Sequence, residues 1–86
     1  MNQKLQEAIE AGVGVGIQEW LADGRGNLAA ALDTINFRQK LVERITDNPA
    51  YVSAGEALVQ AGRDTDAMRF VAELAKEVLP MVLAAI

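Results

Sequence analysis

Residues Asp64–Ile86 read DTDAMRFVAELAKEVLPMVLAAI, and their period decides the fold class. At about 100° per residue, Met68, Val71, Ala75, Val78, Leu79, Val82 and Ile86 share one sector of a helical wheel, with Phe70, Leu74 and Met81 widening it. Arg69, Glu73, Lys76, Glu77 and Pro80 fall opposite. A 3.6-residue period with an unbroken polar stripe marks an amphipathic helix. Asp64 is the expected N-cap, and Asp66 adds negative charge to the first turn, where the helix dipole favours it. Arg69 and Glu73, four apart, are placed to pair. Pro80 removes the hydrogen bond to the Lys76 carbonyl, so the helix is expected either to kink there, around the core, or to stop near Leu79. From Val78 onward no side chain is charged. That run is too short to span a bilayer, which takes about 20 residues. It packs into the chain's own core or docks on another copy or a partner, and Met81, Val82 and Ile86 are its candidate contact residues.

Working backward, Asp47-Asn48-Pro49 is the clearest punctuation. Asn48 suits an N-cap and Pro49 the first helical position, so a third helix runs from Pro49 to about Ala61. Gly62 suits the residue after its end, which makes this helix and the last one a tight hairpin. A second helix is expected over Leu28–Thr46, capped by Asn27. Leu28, Ala31, Leu32, Ile35, Val42 and Ile45 form its main face, Phe37 and Leu41 a second face, and Gln39 sits on the main face or its rim. Two apolar faces mean either two neighbours or an interface, so Phe37 and Leu41 are candidate interface residues. Arg38, Lys40, Glu43 and Arg44 read as a solvated mixed-charge face.

The first helix is expected over Leu5–Ala22, with Asn2 as a cap and Leu5, Ile9, Val13, Ile17 and Trp20 on one face. Gly12, Gly14 and Gly16 interrupt it, each at a cost of about 1 kcal/mol against alanine. Gly12 and Gly16, four apart, fit a small-xxx-small seam that lets another helix approach closely, and they are candidate interface residues. The competing expectation is a break into two short helices. Gly-Val-Gly-Val-Gly lacks the preceding strand and the spacing of a phosphate-binding loop. Asp23-Gly24-Arg25-Gly26 reads as a turn.

The hairpin of the last two helices resembles a single tetratricopeptide-type repeat. Tyr51, Ala54-Gly55, Leu58, Gly62, Ala67, Val71 and Leu74 follow that spacing, and Pro80 lies one residue beyond the usual proline. The likeness covers one repeat and does not recur at the period of about 34 residues, because that step from Tyr51 lands on Ile17. It is a similarity of hairpin geometry, and it implies a protein or peptide partner without catalysis.

Composition bounds the chemistry. The 86 residues suit one domain, 1–86, and carry neither Cys nor His. Disulfides, thiolates and imidazole ligands are therefore unavailable, and with them Ser-His and Cys-His catalysis. The remaining nucleophile candidates (Ser53, Thr34, Thr46, Thr65, Tyr51 and the lysines) have no base beside them in sequence. Carboxylates pair at Glu7/Glu10, Asp64/Asp66 and Glu73/Glu77, as helix-capping or solvated groups. Asp64-Thr65-Asp66 lacks the glycine and glutamate of a calcium loop. The net charge of −4 disfavours nucleic acid. Hydrophobic residues make up 51% of the chain, mostly aliphatic, which favours oligomers over lone monomers.

The expected protein is all-α: a small bundle of about four helices with antiparallel hairpins and a kinked C-terminal helix. It is expected to be a non-enzymatic structural or assembly subunit that self-associates or joins a larger complex, such as a viral particle or secretion machine. No cofactor, metal, nucleic acid, small-molecule substrate or membrane span is expected. The start Met-Asn-Gln-Lys-Leu-Gln-Glu is unlike a secretory signal, so a cytoplasmic location is expected. The alternatives are a monomeric adaptor that binds a peptide or helix at the hairpin and, more weakly, an acidic inhibitor of a basic site.

Overall fold

A computed structural model describes residues 2–24 and 34–85. Among them are four helices and no strand: α1 Gln3–Ala22, α2 Ile35–Thr46, α3 Pro49–Gln60 and α4 Asp64–Ala85. The all-α bundle is as expected.

Each helix start follows from its cap. Asn2 Oδ1 accepts from the Lys4 N–H at 2.8 Å. Asn48 Oδ1 accepts from Ala50 and Tyr51, with Pro49 in the first turn. The α3–α4 connection is a Schellman turn: the Gly62 N–H donates to the Val59 carbonyl and the Arg63 N–H to that of Leu58. Gly62 has φ +74°, which a side chain disfavours. At the head of α4 the cap expectation shifts by one residue. The Arg63 carbonyl accepts the first α-helical bond, from Ala67, so Asp64 lies inside the first turn rather than capping it. Its charge still meets the positive end of the helix dipole. At Pro80 the helix does not stop, and it runs on to Ala85. Pro80 is exposed, so the carbonyl it leaves unpaired lies on the wet side.

The second helix departs from expectation. Thr34 is extended (φ −74°, ψ 144°), and its Oγ1 accepts from the Phe37 N–H at 3.2 Å. A helix therefore begins at Ile35, and the expected span does not continue through Thr34. The expectations for Asn27, Leu28, Ala31 and Leu32 lie outside the described residues. The inner stripe joins Phe37 and Leu41 of the expected second face to Ile45 of the expected main face. Phe37, Leu41 and Ile45, at four-residue spacing, are buried to 2% exposure or less. Ile35 is 74% exposed, and Val42 is only partly buried.

The closest helix pair is α1 with α4. A β-carbon on Gly12 would lie 2.6 Å from Val71 Cβ and 2.7 Å from the Met68 carbonyl oxygen. One on Gly16 would lie 2.7 Å from Ala75 Cβ and 2.9 Å from the Ala72 carbonyl oxygen. Both partners advance by four residues when the glycine does, so the two helices run parallel, backbone nearly on backbone. Of the two readings of the glycines, the structure takes close packing, and α1 is unbroken. Leu5, Ile9, Val13 and Ile17 of α1 meet Val71, Ala75, Val78, Leu79 and Val82 of α4 in one buried core, joined by Phe37, Leu41, Ile45 and Val59. Each large side chain so buried contributes about 1.5–3 kcal/mol. No helix among the described residues is long and apolar enough to cross a membrane.

Candidate functional site

With Phe37, Leu41 and Ile45 turned inward, the other side of α2 carries Ile35, Arg38, Gln39, Val42, Glu43 and Thr46. These positions follow helical spacing and form one stripe. Beside α1 the stripe borders two hollows. The larger, about 630 Å3, is lined by Glu10 and Val13 of α1 and by Ile35, Arg38, Gln39, Val42 and Glu43 of α2. The smaller, about 320 Å3, is lined by Gln6, Ile9 and Glu10 with Val42 and Thr46. Glu10 and Val42 border both, so the two form one groove along the α1–α2 seam. At its floor Ile9 and Val13 are already buried in the core and Val42 is partly buried, and its rim is of mixed charge. Thr46 has its hydroxyl turned to its own helix, where Oγ1 donates to the Val42 carbonyl at 2.9 Å.

Elsewhere the charges serve the bundle. Arg69 donates to Glu19 of α1 at 2.9 Å and to Glu73 at 3.0 Å, and Lys76 Nζ lies 3.1 Å from Glu73 and 3.7 Å from Glu19. The Arg69–Glu73 pair was expected from spacing. Glu19, 50 residues from Arg69, was not. The hydrogen bond from Arg69, aided by the nearby cations, holds the Glu19 carboxyl below its ordinary pKa. Arg63 takes Asp66 at 2.7 Å, and Lys4 lies 3.8 Å from Asp64. Among the described residues no three of His, Cys, Asp and Glu gather as a metal site would require.

The residues expected at an interface are scattered. Gly12 and Gly16 are buried in the α1–α4 seam, and Phe37, Leu41 and Val82 are core. Within one copy none of these five is available to a partner. Met81 is half exposed, and Ile86 lies outside the described residues. The tail thus packs inward through Val78, Leu79 and Val82 and leaves Met81 uncovered. The groove is not among the sequence expectations, which place Ile35 and Val42 on the main apolar face of the second helix and name only Phe37 and Leu41 there as interface candidates. The signal that finds it is Thr34, a helix-capping residue in mid-pattern. Comparison of the chain with protein families, curated proteins and solved structures finds no match.

Proposed function

We propose that this chain is a non-enzymatic assembly subunit, one that packs against copies of itself or within a larger protein complex. The observation that supports this reading is Ile35, 74% exposed at the edge of the α1–α2 groove. An isoleucine held in water forgoes in a lone monomer the burial that a partner would supply. Met81, half exposed at the far end of α4, adds a second uncovered apolar side chain.

Light scattering coupled to size exclusion, over about a hundredfold range of concentration, tests this reading by mass action. A mass that rises above 9.2 kDa with concentration is expected. A mass that stays at 9.2 kDa throughout overturns self-association. A monomeric adaptor is the second reading. In its favour α3 turns outward Ala50, Ser53, Ala54 and Ala57, a smooth uncharged face on which a partner helix can lie.

A further inference from the structure

We draw no further inference here: the strongest candidate, the groove along the α1–α2 seam with Ile35 exposed at its edge, has Ile9 and Val13 at its floor already buried in the core, and nothing in the structure shows what covers it.

Discussion

At the scale of single residues, the three glycines of α1 separate local propensity from packing. Each loses about 1 kcal/mol of helix propensity against alanine, so propensity alone favours replacing all three. Gly14 meets nothing nearer than Arg38 Nη1 at 3.8 Å, an ordinary contact. Gly14→Ala is expected to raise stability by about 0.5–1 kcal/mol. Gly12→Ala and Gly16→Ala each drive a methyl to within 2.9 Å of an α4 carbonyl oxygen. Backbone cannot step aside as a side-chain end can, so the helices must separate. Each change is expected to cost about 1–3 kcal/mol net of the propensity gain. Urea denaturation of the three variants checks this. Equal stabilisation by all three would mean that the seam is looser than described.

At the scale of elements, boundaries follow from caps, and faces follow from boundaries. Asn48 holds two backbone N–H groups at the start of α3, and Gly62 turns the chain at its end. Asn48→Ala is expected to cost about 1 kcal/mol. Gly62→Ala, at positive φ, is expected to cost about the same or somewhat more. Because the two act at opposite ends of one helix without touching, the double variant should lose the sum of the singles, as measured by thermal melts. A clear shortfall would mean that α3 frays from one end in the parent. Thr34 shows the same logic in reverse. Its extended backbone sets the helix start at Ile35, and in that helix the stripe of Phe37, Leu41 and Ile45 is the inner one.

At the scale of the whole molecule, the parallel α1–α4 pair is clamped on its outside by Glu19, Arg69, Glu73 and Lys76. The Glu19 carboxyl titrates below its ordinary value because Arg69 donates a hydrogen bond to its charged form. A carboxyl whose pKa is lower in the folded state than in the unfolded state stabilises the fold at pH above the unfolded value. That contribution is lost as pH falls through the folded value. Glu19→Gln is therefore expected to lower the melting temperature at neutral pH and to make less difference as pH falls below about 4.5. The group is exposed, so the effect is small and added salt shrinks it further. A difference that persists undiminished at low pH would assign the role of Glu19 to packing instead of charge.

The amino-acid pattern by itself determined the all-helical class, the ends of α3, the Asn2 cap and the inward faces of α1 and α4, while it left open whether α4 passes Pro80. These depend on contacts within a few residues, where periodicity, capping side chains and proline or glycine act directly on the backbone. The exclusion of thiolate and imidazole chemistry was equally legible, since it follows from composition. Three things only the tertiary structure decided. The first is the partner of the glycine seam, because Gly12 and Gly16 permit close approach without naming Val71 and Ala75 as what approaches. The second is the inner face of α2. Both its stripes hold apolar residues, and which one is buried depends on where the helix starts and on what lies beneath it. The third is the groove with Ile35 at its edge, since a hollow is the space left between two helices. Its lining comes from α1 and α2 together, and the period within either helix contains no term for the distance between them.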